Sequence, residues 1–349
     1  MLVNNTILHV IPRLTNGGAE TVLARLVKEL ANKNISQFVV TLQGSDADFN
    51  HQKVSQFAQV VHLKTAKVNL VQWLDENPNA KIIAWMYRPI IFAHRLKSKS
   101  TSNPDIYWNI RNSNFRYFQI LQRCSLYAFG VISHLLKPKI IYCSNQAKLT
   151  HQAYFFSKEN HTVIPNRWAK VTANLPSITQ PKTPTFLYVG RYDTMKGPKR
   201  LIKLFSTFVK KQPEACLQIA GSGWTKKMIP KEIENNVVLI GNTDKIYAYY
   251  ANATALLFTS HSEGYPNVLV EAMVSGLPII AFKAGDSKLI LQDYAFGDTV
   301  NSNQSFLLAM EKVSSYPHTL NERKKEVTIQ KEKLNFSKTV LEYLKFLSF

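Results

Sequence analysis

Long apolar runs are missing from this chain. A membrane-crossing helix needs about 18 or more consecutive apolar residues. The longest weakly charged stretch, residues 124–136, is too short and holds His134. Residues 1–5 carry no basic start, and the apolar segment 7–11 is too short for the core of a secretory leader, so no leader is expected. Cysteine is scarce. Cys124, Cys143 and Cys216 lie far apart, no pair has metal or redox spacing, and an odd count argues against a disulfide framework. A reducing cytosol fits that usage. Two glycine signatures are missing as well. No Gly-rich loop ends in Gly-Lys-Ser/Thr, which argues against a P-loop ATPase, and there is no three-glycine dinucleotide fingerprint. Acidic residues are few: 23 Asp and Glu stand against 43 Lys and Arg, a net charge of +20. That imbalance favours an anionic partner, whether nucleic acid, a phosphorylated substrate or an acidic membrane. It is also uneven. Ten cations between Lys81 and Lys139, Arg111 among them, are opposed only by Asp105. They read either as a solvated basic face or as a binding surface.

What is present is an alternation of short apolar segments with helical periodicity. At this length two domains are expected, each with its own core. In the C-terminal half, strands are predicted at 186–190, 215–220, 237–240, 255–258 and 277–282. Between them, 198–211 has helical spacing at Leu201, Ile202, Leu204, Phe205, Phe208 and Val209, and helices are predicted from about 225 and over 244–252. The N-terminal half is less regular. Strands are predicted at 7–11, 38–42, 81–85, 106–110 and 139–143, with helices over 19–31 and 115–136. Such alternation means parallel sheets covered on both faces. The Pro-bearing segment 171–185 has linker composition. It divides an N-terminal domain, 1–170, from a C-terminal domain, 186–334, and a last helix at about 335–349 is expected to pack back on the first. Ligands of doubly wound sheets bind beyond the C-terminal ends of the strands, so a cleft between the domains is the expected site.

Four local features belong at such strand ends. Gly17-Gly18 follows the first strand, where paired glycines and a helix N-terminus suit a phosphate, although a plain strand-to-helix turn has the same look. Gly190-Arg191, followed by Lys196-Gly197, places two cations next to a strand end and a helix start. They suit a diphosphate and the charge it develops on leaving, or they are ordinary surface cations. Gly221-Ser222-Gly223 is a small-residue turn. The most informative run is His261-Ser-Glu263-Gly264-Tyr265-Pro266-Asn267-Val268-Leu-Val-Glu271. Pro266 suits the first position of a helix. Glu271 then falls among apolar neighbours, where a carboxylate is costly without a partner. A pair of sugar hydroxyls would be such a partner.

The order of these pieces resembles a retaining glycosyltransferase of family 4 with the GT-B fold, of the bacterial polysaccharide and lipopolysaccharide type. The resemblance runs from Gly17-Gly18-Ala19-Glu20 through Ile164-Pro165-Asn166, Val189-Gly190-Arg191, Lys196-Gly197 and Gly221-Ser222-Gly223. It ends with Glu263, Glu271 and the trailing Ser275-Gly-Leu-Pro-Ile-Ile-Ala281. It implies an α/β protein of two Rossmann-like, doubly wound parallel-sheet domains facing each other across a cleft. It also implies roles, residue by residue. Arg191 and Lys196 match the cations on the donor diphosphate, Glu271 the ribose ligand, and Glu263 the acid near the donor sugar's hydroxyls. Gly17 and Gly18 match the loop over the phosphates. Gly190, Gly221 and the backbone from Gly264 through Tyr265, Pro266 and Asn267 to Val268 line the donor. The sequence departs from the family at two places. The N-domain stretch where many relatives carry a His reads Trp108-Asn-Ile-Arg111-Asn112, which makes Arg111 and Asn112 the acceptor-side candidates. Arg167 stands where a Gly is usual after Ile-Pro-Asn.

The expected function is transfer of a sugar from a nucleotide diphosphate donor, UDP-linked, to a hydroxyl of a glycan or lipid-linked oligosaccharide in cell-surface polysaccharide assembly. The enzyme is of hexosyltransferase type and retains anomeric configuration. The resemblance implies no metal in the transfer and no cofactor beyond the donor itself. The N-domain, with apolar and aromatic residues interleaved among cations over 115–139, suits an anionic membrane surface. That points to a cytoplasmic protein peripheral on the inner face of the membrane. Two alternatives are a nucleotide-sugar epimerase of the same architecture and, further off, a basic nucleic-acid-binding protein. The second would leave the two glutamates unexplained, so no nucleic acid is expected.

Overall fold

The computed structural model describes residues 5–113, 120–167 and 176–349. The chain divides into two units, Met1–Asn166 with Phe336–Phe349, and Arg167–Asn335.

The first unit is built on seven parallel strands: β1 (Thr6–Ile11), β2 (Ser36–Thr41), β3 (Gln59–His62), β4 (Lys81–Trp85), β5 (Ile106–Ile110), β6 (Lys139–Tyr142) and β7 (His161–Val163). Their spatial order is β3-β2-β1-β4-β5-β6-β7. Every residue of β1 and of β5 is buried, as expected for parallel strands covered by helices on both faces. The helices are α1 (Gly18–Ala31), α2 (His51–Ser55), α3 (Leu70–Glu76), α4 (Tyr87–Lys97), α5 (Ile120–Leu136) and α6 (Asn145–Gln152). In α1 the buried positions Val22, Leu23, Leu26, Val27 and Leu30 recur at helical spacing and form one apolar stripe. The final helix of the chain, which also belongs to this unit, spans Phe336–Leu347 and packs near α1.

The second unit carries six parallel strands, β8 (Thr185–Val189), β9 (Cys216–Ala220), β10 (Val237–Gly241), β11 (Ala255–Phe258), β12 (Ile279–Phe282) and β13 (Gly297–Val300). Their order, β10-β9-β8-β11-β12-β13, repeats that of the first six strands of the other sheet. Its helices are α7 (Pro198–Val209), α8 (Ile246–Asn252), α9 (Asn267–Val274), α10 (Ser287–Leu291), α11 (Asn303–Ser315) and α12 (Leu320–Lys333); the terminal helix is α13. One core lies between the sheet and α7 and α11, around Phe186, Phe205, Phe208, Leu257, Phe306 and Met310. A second lies against α8 and α9, around Leu187, Tyr250, Leu256, Leu269 and Met273.

In both sheets the chain reverses its direction of growth between the first and fourth strands of the unit, β1 with β4 and β8 with β11. Loops leaving such a pair diverge to opposite faces and open a crevice at their C-terminal ends.

Several local expectations shift. Residues 226–236 form two 3₁₀ turns, Lys226–Met228 and Lys231–Asn236, rather than a helix, because Pro230 between them lacks the N–H that a helix needs. Helix α9 begins at Asn267, with Pro266 as its N-cap. Strands β3, β7 and β13 were not foreseen; each is short, at the margin of its sheet, with little apolar alternation. The start of the helix expected over 115–136 and residues 171–175 of the expected linker lie outside the described residues.

Candidate active site

The crevice at β8 and β11 collects the charged residues singled out in the second unit. Strand β8 delivers Gly190 and Arg191, then a 3₁₀ turn, Thr194–Lys196, and α7. Strand β11 delivers Thr259, Ser260 and Glu263, then α9 with Glu271. Asp193 caps the 3₁₀ turn, its Oδ1 accepting from Met195 N at 2.9 Å. Its Oδ2 accepts from Arg191 Nη2 at 3.1 Å, which orients a guanidinium that is itself largely exposed.

Lys196 and Glu263 form the centre. Lys196 Nζ donates to both carboxylate oxygens of Glu263, at 2.7 and 2.8 Å. Ser260 Oγ donates to Oε1 at 2.7 Å. Glu263 is 9% exposed and Lys196 29%. A carboxylate so far from water is stable only with such partners. The loop holding Lys196 is locked on β11. Thr259 Oγ1 lies 3.1 Å from Lys196 O and 3.2 Å from Gly197 O, and Tyr188 donates to Lys196 O at 3.3 Å. His261 N donates to Met195 O at 2.8 Å. Gly197 makes this packing possible. Its φ is +69°, and a Cβ there would stand 2.1 Å from Thr259 O. Burial pushes the Tyr188 phenol well above its usual range, with the charge of Glu263 adding to the effect.

Glu271 receives its partner from the neighbouring helix. Tyr250 OH, on α8, donates to Glu271 Oε2 at 3.1 Å. Tyr250 is fully buried, and desolvation followed by the charge of Glu271 holds its phenol well above the normal range. It is therefore a hydrogen-bond donor at any physiological pH. The sequence expectation that Glu271 needs a partner is met by a protein hydroxyl. Below these acids the ends of β8 and β9 meet closely. A Cβ on Gly221 would lie 2.4 Å from Gly190 O, and Trp224 Nε1 donates to that carbonyl at 3.0 Å. Gly264 and Tyr265 lie on the loop before Pro266, and Asn267 and Val268 open α9. A cavity of 320 Å³ elsewhere on this unit, lined by Tyr247, Ser275 and Val327, contains none of these site residues.

The other sequence candidates sit at C-terminal strand ends of the first unit, Gly17 and Gly18 after β1 and Arg111 and Asn112 after β5. Gly17 is the N-cap of α1, and a Cβ there would lie 2.3 Å from Glu20 Oε2. Gly18 is the first residue of that helix. Arg111 leaves β5. Its guanidinium reaches Tyr343 OH at 3.4 Å, bonds Asn166 Oδ1, and lies 5.5 Å over the Trp85 ring. Its N–H lies 3.2 Å from Met86 Sδ. Met86 has φ +72° and ψ −176°, a conformation that is essentially glycine's, at the end of β4. Asn112 Oδ1 is 3.2 Å from Tyr87 OH, which lies 2.6 Å from His151 Nε2. His151 donates from Nδ1 to Ala147 O and is lowered by burial to about 4, so it stays neutral and accepts from Tyr87.

Sequence reasoning missed Tyr250, Ser260, Asp193, Asn166 and Tyr343 as partners. It also missed a cluster in the first unit, Asp46, His51 and His62, whose ligand atoms lie within 4.8 Å of one another. Asp46-Ala47-Asp48 is an Asp-x-Asp pair and was the available signal.

Comparison with known proteins finds a family likeness in the second unit. Residues 174–330 match the family described as Glycosyl transferases group 1. In this segment the chain is similar to the group 1 glycosyltransferases. An uncharacterised glycosyltransferase of Haemophilus influenzae is 34% identical over 128 residues, 32% of this chain and 36% of that protein. This chain thus spans little more than a third of that relative. The lipopolysaccharide 1,6-galactosyltransferase of Salmonella typhimurium is 26% identical over 76% of each chain. Among solved structures, Anabaena HepE in complex with UDP superposes with a TM-score of 0.78 at 16% identity, covering 98% of this chain and 99% of that one. The fold is therefore GT-B, with two Rossmann-like sheets of seven and six parallel strands.

Proposed function

We propose that the chain transfers a hexose from a UDP-linked donor to a hydroxyl of a glycan or lipid-linked oligosaccharide, with retention at the anomeric carbon, in cell-surface polysaccharide assembly. The observation that carries this reading is the Lys196–Glu263 pair at the crevice of the second sheet, its carboxylate buried, with Arg191 after β8 and Glu271 on α9 after β11. In this reading Arg191 and Lys196 hold the donor diphosphate. Lys196 commits two N–H bonds to Glu263 and has a third for a phosphate oxygen. Glu271, oriented by Tyr250, accepts the ribose hydroxyls, and Glu263 those of the sugar. The backbone of Gly190, Gly221 and the loop from Gly264 to Val268 lines the donor. Gly17 and Gly18 contact phosphate, and Arg111 and Asn112 serve the acceptor.

Transfer proceeds on the face that the diphosphate leaves. The bond from the anomeric carbon to the diphosphate oxygen breaks, the bond to the acceptor oxygen forms, and the acceptor's proton passes to the departing diphosphate. Arg191 and Lys196 stabilise the charge on that leaving group, so the protein's own cations do the work that a metal does elsewhere. UDP in the complex of a structural neighbour supports the choice of nucleotide. Polysaccharide assembly is supported by the lipopolysaccharide galactosyltransferase among its relatives.

The membrane part of the proposal rests on α5. Leu121 and Leu135 are 85% and 77% exposed, and Ile120, Val131 and Leu136 are exposed with them. Gly130 sits on the opposite side, against Tyr154 O, and lets the helix dock closely on its unit. No described helix is long and apolar enough to cross a membrane. An exposed apolar stripe with Lys137 at its end suits the headgroup boundary of an anionic bilayer, at the inner face of the cytoplasmic membrane.

The deciding experiment is a thermal-shift screen of nucleotides and nucleotide sugars, because a ligand bound to the native state raises Tm. UDP and one UDP-hexose are expected to shift it. Incubation of that donor with and without lipid-linked acceptors, followed by NMR of the product's anomeric configuration, then tests transfer. Conversion of the donor's own stereochemistry without an acceptor would establish the epimerase instead. For the membrane, vesicles containing anionic lipid should bind the chain at low salt and lose it when Leu121 and Leu135 are both changed to Glu. Binding indifferent to lipid charge and salt would contradict that part.

A further inference from the structure

We propose that Asp46, His51 and His62 form a binding site for a divalent first-row transition metal, separate from the donor site and in the other unit. His62 ends β3, the outermost strand of its sheet, and pairs in register with Thr41 at the end of β2. The connection from β2 folds back over these two residues and supplies Asp46, and α2 then opens with His51. Three ligand atoms converge. His62 Nε2 is 3.0 Å from His51 Nδ1 and 3.1 Å from Asp46 Oδ1, and the last two are 3.7 Å apart. A triangle with those sides has a circumradius of about 1.9 Å, so one point about 0.7 Å off its plane lies about 2.05 Å from all three atoms. That is the bond length of zinc to imidazole nitrogen and carboxylate oxygen. Two imidazoles and a carboxylate suit zinc, cobalt or nickel, with the remaining position left to water.

The surroundings of His62 are those of a metal ligand. It is 5% exposed. Its Nδ1 lies 2.7 Å from Thr41 Oγ1, and donation there leaves the lone pair of Nε2 directed at the other two ligands. Gly44 closes the shell. Its N–H donates to Thr41 Oγ1 at 3.0 Å, and a Cβ on it would lie 2.4 Å from Thr41 Oγ1 and 2.7 Å from His62 Nδ1. Only a residue without a side chain allows the loop to press on the ring in this way. Asp46, by contrast, is 84% exposed, which gives the ion its way in.

The site has a mechanical consequence. The loop that supplies Asp46 is tied to the segment leading into Gly17 and Gly18. Asp48 Oδ2 accepts from Leu14 N at 3.0 Å, Asn50 Nδ2 donates to Thr15 O at 2.6 Å, and Asn50 N donates to Leu14 O at 2.8 Å. A metal joining Asp46 to His51 and His62 staples that loop to β3 and so braces the turn before α1. Its role is structural, and the proposed sugar transfer takes no step at it.

The test uses the full chain without an affinity tag, stripped of metal and titrated with zinc and with cobalt. One equivalent should bind, with Tm rising by about 5–10 °C at a hundredfold excess over Kd. Cobalt should give visible ligand-field bands. Asp46→Asn and His51→Asn alter partly or wholly exposed ligands, so each should melt like the parent without metal and lose at least about tenfold in affinity. The double variant should bind none. Absence of saturable binding at about 100 µM metal overturns the proposal. So does stoichiometric binding that survives in the double variant, since the ion then sits elsewhere.

Discussion

Replacing Lys196 by Ala separates charge from scaffolding at the proposed centre. Glu263, 9% exposed in the intact protein, loses two hydrogen bonds and its countercharge and keeps the bond from Ser260. Breaking a fully buried pair costs about 3–5 kcal/mol. Lys196 is 29% exposed and water can enter, so about 1–3 kcal/mol is expected here. The single change Glu263→Gln removes the charge that needs a partner, and the double variant should recover most of the loss. The coupling between the two sites in a double-mutant cycle is then about 1–2 kcal/mol, measured by urea unfolding of all four proteins. Activity should behave differently. If Lys196 holds the leaving diphosphate, its loss removes about 2.7–4 kcal/mol of transition-state stabilisation, or about 10²–10³ in kcat, and the double variant recovers none of it. A Lys196→Ala protein that turns over nearly normally would refute the assignment. So would a double variant whose turnover returns along with its stability, because Lys196 would then be only the partner of Glu263.

Other consequences follow from single geometries. Gly197→Ala places a methyl 2.1 Å from Thr259 O at φ +69°. The left-handed backbone alone costs about 1–2 kcal/mol, so a loss of at least about 2 kcal/mol is expected in chemical denaturation. Tyr250→Phe removes the donor to Glu271 and should cost about 1 kcal/mol of stability, while calorimetry of UDP binding should show weaker affinity. Acid should unfold the first unit early. His9 and His151 are held by burial at about 4, against 6.5 when unfolded. Between those values the unfolded chain binds a proton that the native one refuses. Stability is thus complete above pH 6.5 and falls by about 3 kcal/mol per histidine as pH drops to 4. Melting temperatures from pH 7 to 4.5 should show this fall, and His9→Gln should flatten it by roughly half.

Much of the second unit was legible before folding. Helix α7 is announced by six apolar residues at helical spacing behind Pro198, and β11 by an uninterrupted run of four apolar residues. Gly197 marks a turn because no other residue accepts its backbone angle cheaply. The failures are equally physical. The segment 226–236 has helical composition, yet Pro230 divides it into 3₁₀ turns. Strand β7 is three residues long and only half-buried, so it carries no pattern to detect. Among site residues, Glu271 stood out as an acid in an apolar helix, whereas nothing local marked Tyr250, 21 positions earlier, as its donor.

Sequence alone determined most of the strands and helices, their alternation, and the candidate residues proposed for a diphosphate and a sugar. Those properties depend on backbone sterics and side-chain periodicity over a few residues. Only the tertiary structure decided who pairs with whom. Lys196 and Glu263 are 67 positions apart, and Arg111 and Tyr343 are 232 apart. They meet because the strand order places β8 beside β11, and because the last helix returns to the first unit. His51 and His62 show the same limit at close range. Eleven positions separate them, with no motif between, and they converge only because β3 pairs in register with β2 and brings His62 level with Thr41.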